Sequence, residues 1–471
     1  MHEFTRNYYA VPVTDALRLI LIYSLVAVIL VGCWWLFFRD VIKAGLVTTM
    51  LMAMQFFFGV VQDTLIKNTS LFFSAYRFLI PAGLFFIGLT VYLLKKIKSP
   101  FNKLSFYLNS LLLLLVAIDS AWLIGKISAD KNYVIINSSL NGHSIPDSCL
   151  KRDIYFLLMD QYAGNSALKE IYQFDNVEFL DELKKRGFFI AENSRSNYNL
   201  TPFSMASVLS MNYLDSDMAV TNKLNLSYCY QAIRNSSVIQ FMKREGYTFY
   251  NYSVFDFPDQ PAHKYESFLP YGADLVTLNT FTGRLKRDIK SSIAEGKFGS
   301  ASARNKIVYE NQGYNDSTFK LTEAIAGAKS SSPKFVYAHF MLPHFPYYYD
   351  KKGKPLPIEK LTDFKRTNSV DYIEYLQYAN GKILKLIDYI FSKNEQPPII
   401  ILLSDHGSRH LKRGEEITND FVNLNAVYIP GKNYTGFYDS ISNVNEFRVL
   451  FNNCFAQQLP ILKDSTNNIK N

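Results

Sequence analysis

The sequence predicts a chain in two parts. A bundle of about four transmembrane helices covers residues 1–126, and an α/β domain with a doubly wound, mostly parallel sheet covers 153–457. Three observations carry this. Four apolar blocks crowd the first quarter of the chain, two later apolar runs end abruptly in polar residues, and helical and extended patterns alternate between those runs. Residues 127–152, rich in Ser, Asn and Asp, form a linker, and residues 458–471 form a polar tail.

The four blocks are Ala16–Phe38, Ala44–Val61, Leu71–Leu94 and Leu104–Gly125. Each is close to the ~20 apolar residues that cross a bilayer as a helix. The first is too long and too poorly flanked for a cleaved signal peptide, and further spans follow it. Lys95, Lys96, Lys98 and Lys103 crowd the third loop, and Arg39 and Lys43 flank the first, whereas the second offers only Lys67. Basic loops stay in the cytoplasm, so the N-terminus and everything after Gly125 are expected outside. Arg77 and Asp119 interrupt the third and fourth spans at similar expected depth. Intramembrane charges pair or line a functional cavity, so an ion pair is the plain expectation and a lipid-headgroup contact the sharper one.

The net charge of +9 comes from 50 basic and 41 acidic side chains. Outside the membrane region no Lys/Arg-rich tract is interleaved with aromatics, so the charge points to anionic lipid rather than nucleic acid. Of four cysteines, Cys149, Cys229 and Cys454 fall outside the spans and leave room for one disulfide. Their spacing is not that of a metal site.

In the second part, Asp153–Met159 is an apolar run ending at Asp160, and Pro397–Ser404 is another ending at Asp405-His406-Gly407. Such runs read as buried strands of a parallel sheet, and ligands of open α/β sheets collect at the carboxyl ends of strands. A carboxylate and an imidazole side by side suit a divalent metal, with Gly407 freeing the backbone to turn. The same dipeptide also serves as a polar loop closing a strand, and a lone Asp160 as a cap for the next helix. Two strand ends delivering acids and an imidazole favour the metal.

Between them, Thr201-Pro202 is expected to open a helix, with Thr201 as the N-cap and Pro202 at the first helical position. The same placement aims a hydroxyl at an anion, and coordination to a metal is one way to make that hydroxyl a nucleophile. The residues alone leave both readings standing. Helices are expected around Ser236–Glu245, Thr282–Glu295, Ser317–Ala328, Tyr372–Phe391 and Asn443–Asn453, and strands around 187–191, 247–252, 333–340 and 426–430. His339 and His344 fall on the loop ending one strand, between prolines, and His406 and His410 on the loop ending another. Imidazoles there can hold phosphate oxygens or protonate a leaving group.

Together, these residues resemble the alkaline phosphatase/sulfatase superfamily from about Asp153 to Cys454. With the spans, the chain resembles bacterial membrane-anchored lipoteichoic acid synthases and lipid A phosphoethanolamine transferases. The resemblance implies that Asp160, Thr201, Asp405 and His406 bind one divalent metal and that Thr201 is phosphorylated. Ser204 completes the T-x-x-S pattern and is expected to contact substrate, and His344 matches the phosphate-binding histidine. His339, Arg409 and His410 match further substrate contacts. Leu-Thr-Pro-Phe-Ser departs from the C/S-x-P-S-R of sulfatases, which disfavours sulfate esters. Asp160 stands where those transferases usually have Glu, they commonly have five spans, and their disulfide-rich pattern is missing.

The resulting expectation is an enzyme at the outer face of the cytoplasmic membrane. It moves a phospholipid-headgroup phosphate through Thr201 to an envelope glycan or glycolipid acceptor. The rivals are a phosphodiesterase or phosphatase using water, and a catalytically silent scaffold. Oxygen and nitrogen ligands without thiolate point to Mn or Zn rather than Ca.

Overall fold

The structure, a computed structural model, describes residues 2–8, 11–98, 100–136, 140, 142–214, 226–263, 272–363, 369–409 and 417–469. The chain divides into two compact units, Met1–Tyr133 with Ser267–Ser300, and Val134–Glu266 with Ala301–Asn471.

The first unit contains four helices long and apolar enough to cross a membrane. These are α1 (Val13–Phe38), α2 (Val41–Asn68), α3 (Tyr76–Lys96) and α4 (Asn102–Ile136). Their apolar side chains face outward along most of their length; Leu17, Leu21, Val28, Leu84, Phe85 and Leu113 are all more than half exposed. Bilayer hydrocarbon is the medium in which such a surface is stable. Asp40 starts α2 by accepting hydrogen bonds from the amides of Ile42 (2.9 Å) and Lys43 (3.2 Å). The third apolar block is broken: a short turn, Leu71–Ser74, precedes α3. α4 continues without interruption to Ile136, taking up the first residues of the stretch expected to be linker.

Arg77 and Asp119 do not pair with each other. Asp119 Oδ1 lies 3.1 Å from His2 Nδ1, and the Arg77 guanidinium lies 5.2 Å from the centre of the Phe72 ring. Each charge has found a nearer partner than the other span provides.

The helix anticipated at Thr282–Glu295 forms as Phe281–Ala294, capped by Thr280 Oγ1, which accepts from the Gly283 amide (3.1 Å). It belongs to the membrane-helix unit, although the sequence around it reads as part of the sheet domain. Arg284, 8 % exposed, donates to both carboxylate oxygens of Asp63 on α2 (2.7 Å each) and to Gln62 Oε1 (3.2 Å). The Gly59 amide donates to Asn279 O (2.8 Å), and a side chain at Gly59 would collide with that oxygen at 2.6 Å.

The second unit is built on a six-stranded sheet in the order β2-β6-β5-β1-β4-β3. Here β1 is Ile154–Met159, β2 Phe189–Ile190, β3 Thr248–Tyr252, β4 Lys334–Phe340, β5 Ile399–Ser404 and β6 Asn425–Tyr428. β3, β4, β1 and β5 are parallel; β6 runs antiparallel to β5, and β2 antiparallel to β6. Every residue of β1, β4 and β5 is buried, as expected for strands covered on both faces. One cover is the Glu446–Phe455 helix, whose Phe447 packs on Phe156 and Phe335; another is Tyr314–Gly327, whose Phe319 packs on Phe340 from the opposite face. Leu376, Ile383 and Leu386 of the Ser369–Lys393 helix are also fully buried.

The four cysteines are all free thiols. The C-terminal stretch is packed rather than trailing. Asn467 N donates to Asn197 O (2.8 Å), and Ile469 N donates to Asn199 Oδ1 (2.9 Å). Polar composition hid this, because much of the anchoring is by main-chain and amide hydrogen bonds, with only isolated apolar side chains such as Leu459 and Ile469 buried.

Candidate active site

Register brings the site together. Met159 of β1 pairs with Ser404 of β5 and with Phe340 of β4, so the three strands end level with one another. The Asp405 amide donates to Met159 O (3.2 Å) and the Asp160 amide to Phe340 O (3.0 Å). Asp160 and Asp405 therefore leave adjacent central strands at the same height. One ligand atom each from Asp160, Asp405 and His406 falls within 4.8 Å of the others, and all three residues are fully buried.

The local hydrogen bonds decide which atoms are presented. Asp405 Oδ1 accepts from the amides of Gln161 (3.0 Å) and His406 (2.8 Å). Its Oδ2 makes no hydrogen bond among the described residues and faces His406 Nε2 at 3.3 Å. His406 Nδ1 is 2.8 Å from Gly407 O, which only a protonated Nδ1 can use, so Nε2 carries the lone pair. Burial, with help from the Arg409 charge, pushes His406 well below the usual imidazole range, so the ring is neutral. Burial raises Asp405, against the opposing pull of His339, the Thr201 hydroxyl and the two amides. A lone pair and a carboxylate oxygen thus face each other in a buried pocket beside a second carboxylate. That donor set fits a divalent cation, because buried carboxylates require a paired charge or a metal. Its oxygen and nitrogen composition, with no thiolate, suits a borderline or hard ion.

Thr201 is not the helix cap. The helix runs Thr201–Ser210 with Leu200 at the cap position and no side-chain capping bond, so Thr201 is its first residue and Pro202 its second. The Thr201 hydroxyl turns to the site, 3.4 Å from His406 Nε2, and the residue is 3 % exposed. Gly407 is needed for close approach rather than for an unusual turn. A Cβ there would lie 2.5 Å from Val422 O and 2.6 Å from Asn419 O.

Ser204, expected to face substrate, serves the frame: its hydroxyl donates to Asp405 O at 2.5 Å. His339, on β4 beside β1, is fully buried with Nε2 3.2 Å from Asp160 Oδ2, and burial lowers it to about 4. It orients that carboxylate. His344 is half-buried in the loop after β4, between the cis peptides Leu342–Pro343 and Phe345–Pro346, with Nδ1 turned to the Phe345 carbonyl. Arg409 is close enough to depress His406, and its Nε is buried without a hydrogen-bond partner among the described residues. His410 lies outside the described residues.

The sequence reading missed the amides that hold the β5 turn. Asn423 Nδ2 and Asn443 Nδ2 both donate to Ser404 O (2.6 and 3.0 Å), and Asn423 also donates to Asn443 Oδ1 (2.9 Å). Ser404 Oγ donates to His406 O (2.7 Å) and accepts from the Tyr162 amide (2.9 Å). Single asparagines give no periodic or motif signal that would have marked them.

A sequence model of the sulfatase family matches residues 152–445, more than half of the chain. The chain belongs to the sulfatase family and is an enzyme of that superfamily. Among curated proteins none matches the sequence. Solved structures with similarity include the C-terminal periplasmic domain of EcEptC from Escherichia coli in complex with Zn. It is 13 % identical, with 66 % of this chain and 84 % of that one covered, at a TM-score of 0.40. The phosphoethanolamine transferase EptC domain from Campylobacter jejuni is 12 % identical over 64 % and 89 % of the two chains, TM-score 0.37. A phosphonate monoester hydrolase from Silicibacter pomeroyi is 13 % identical over 67 % and 75 %, TM-score 0.39. At those scores the assignment rests on the family match alone.

Proposed function

We propose that the protein is a membrane-bound, metal-dependent transferase. In this reading it moves a phospholipid-headgroup phosphate, of the phosphoethanolamine or phosphoglycerol type, to a hydroxyl of an envelope glycan or glycolipid. The observation that carries the proposal is the Thr201 hydroxyl facing the Asp405–His406 pair with no capping duty to perform. The basic first and third loops support an orientation with the sheet unit outside the cytoplasm.

Asp160, Asp405, His406 and Thr201 would hold the cation, for which Mn and Zn are the best candidates. It would supply positive charge there that lowers the cost of deprotonating Thr201 and of bringing an anionic phosphate into the site. Thr201 Oγ1 gives up its proton and attacks phosphorus, forming a phosphothreonine ester. The bond from phosphorus to the diacylglycerol oxygen breaks, and that oxygen takes a proton as it leaves. Arg409 and His344 offset charge on the remaining phosphate oxygens. An acceptor hydroxyl then attacks the same phosphorus, its proton is lost, and Thr201 regains one. His339 fixes Asp160, and Ser204 fixes the Asp405 backbone, so the site is organised before substrate arrives.

The test is donor turnover by the full chain in detergent, with phosphatidylethanolamine or phosphatidylglycerol as donor. Diacylglycerol release by the wild type and its loss in Thr201→Ala, with metal supplied in excess so that Asp160, Asp405 and His406 stay loaded, is the expected result. Release that survives Thr201→Ala would overturn the assignment of the nucleophile. Phosphorylated headgroup released into water, with no acceptor product, would make the enzyme a hydrolase.

A further inference from the structure

Between α2 and α3 the first unit contains an apolar slot of about 550 Å³. Its walls include Ala53, Met54 and Phe57 of α2 and Ala82 and Phe86 of α3, and Phe281 closes one side. Gln55 is the one polar side chain among its lining residues, and both ends of its amide are taken by Thr282. Nε2 donates to Thr282 Oγ1 (2.6 Å), and Oε1 accepts from the Thr282 amide (3.4 Å). The slot therefore presents hydrocarbon and no free donor or acceptor. A ligand pocket of this size is ordinary, since such pockets span about 300–1,000 Å³.

We propose that this slot binds one acyl chain of a membrane phospholipid. Its length fits. The α2 lining runs from Met50 to Val61, roughly 16 Å at ~1.5 Å per residue. One leaflet of a hydrocarbon core about 30 Å thick is about 15 Å deep. Within the apolar block Ala44–Val61 the α2 lining takes the part nearer Asn68, and the α3 lining, Leu79–Ile87, begins three residues after Tyr76, so the slot opens near the connected ends of the two helices.

The helix Phe281–Ala294 gives the slot a polar end. Phe281 is set against Phe58 with ring centroids 5.0 Å apart, and the Arg284–Asp63 double hydrogen bond holds the next turn. Beyond it, Lys286 and Arg287 keep 77 % and 50 % of their side chains exposed while facing Asp274 (3.8 Å) and Asp288 (3.3 Å), and such solvent-exposed pairs are weak enough to exchange for a phosphate. Cations at a membrane surface favour lipid phosphate, so the same element that closes the apolar slot offers charge to a headgroup. Small residues make the room. At Gly83 a Cβ would stand 2.7 Å from Met54 Cε, and Ala53 and Ala82 add little bulk to the walls. The inference rests on α1–α4 lying in a bilayer and is independent of the chemistry proposed for Thr201.

The test uses the full chain in vesicles of phosphatidylcholine, with a small fraction of phosphatidylcholine carrying a diazirine midway along one acyl chain. After illumination, label is quantified by peptide mapping. Label per residue on Met50–Val61 and Leu79–Ile87 should exceed that on the outward face of α1, Leu21–Val28, by at least about fivefold, since a retained lipid outlasts exchanging ones. Ala53→Trp and Ala82→Trp should each bring the slot down to the α1 level while leaving α1 labelling unchanged. Equal labelling of slot and α1 in the wild type would mean surrounding lipid only and would overturn the proposal. So would slot labelling that neither tryptophan reduces. Slot peptides that cross-link to a second copy of the chain instead of to lipid would overturn it as well. The wild-type ratio decides by itself if a tryptophan variant fails to fold.

Discussion

Gly407→Ala is the sharpest perturbation of the proposed metal centre, because it adds one methyl group and removes no ligand. The new Cβ would meet Val422 O at 2.5 Å, Asn419 O at 2.6 Å and the Asp420 carbonyl carbon at 3.1 Å, all of them backbone. Restoring an ordinary 3.4 Å contact from 2.5 Å takes a displacement of about 0.9 Å, and no flexible side chain is available to absorb it. The displacement falls on a peptide that already has two duties. The Gly407 amide donates to Asp420 O (2.8 Å), and the Gly407 carbonyl fixes the His406 ring through Nδ1 (2.8 Å). Overpacking of this kind costs about 1–3 kcal/mol of stability. Misplacing a catalytic group by ~1 Å costs on the order of a hundredfold in rate. Thermal unfolding, metal titration and donor turnover of the variant measure the three effects. A lower melting temperature, weaker metal binding and turnover reduced by about two orders of magnitude are expected. Turnover and metal affinity equal to those of the wild type would refute the view that this glycine positions His406.

Ser204→Ala removes the hydroxyl that donates to Asp405 O (2.5 Å). Metal affinity measured by calorimetry should fall roughly 10–100-fold, as for other outer partners of a metal ligand, and an unchanged affinity would return Ser204 to the substrate side. Glu446 is fully buried, and burial raises its carboxyl from 4.5 to about 7 while Asn425 Nδ2 donates to it (2.7 Å). The folded protein thus prefers the neutral carboxyl. That stabilisation is complete below pH 4.5 and is lost as the pH rises towards and through about 7. The total is roughly 3 kcal/mol at about 1.36 kcal/mol per pH unit. Glu446→Gln should flatten the fall in melting temperature across that window and be the more stable protein at pH 8, and an unaltered slope would contradict it. Chelation should lower the melting temperature, and returning metal at ~100 times its dissociation constant should restore about 2.7 kcal/mol. No shift on removing bound metal would mean that the folded site does not hold it.

Much of this arrangement was legible in the sequence because two strong signals coincide. Long apolar runs announce α1–α4, and the buried runs at Ile154–Met159 and Ile399–Ser404 announce β1 and β5 with acids at their ends. What stayed hidden depends on packing rather than periodicity. The 3.6-residue pattern of Phe281–Ala294 says that a helix forms but not which unit it joins; Arg284 meeting Asp63 decides that. Thr201-Pro202 has the composition of a capped helix start, yet the helix begins one residue earlier than that pattern implies and frees the hydroxyl. Gly407 reads as a turn residue, and only the approach of Val422 O and Asn419 O shows that space, not dihedral freedom, requires it. Asn423 and Asn443, which hold the β5 turn, lie far from it in sequence and carry no spacing cue.

The central claim is that Thr201 is the nucleophile, and its most direct test is the intact mass of the full chain after brief incubation with phospholipid donors and no acceptor. The wild type should gain the mass of one headgroup phosphate, lost again when acceptor is added, and Thr201→Ala should gain nothing. A wild type that turns donor over without ever gaining that mass, or a Thr201→Ala protein that gains it, would contradict the account.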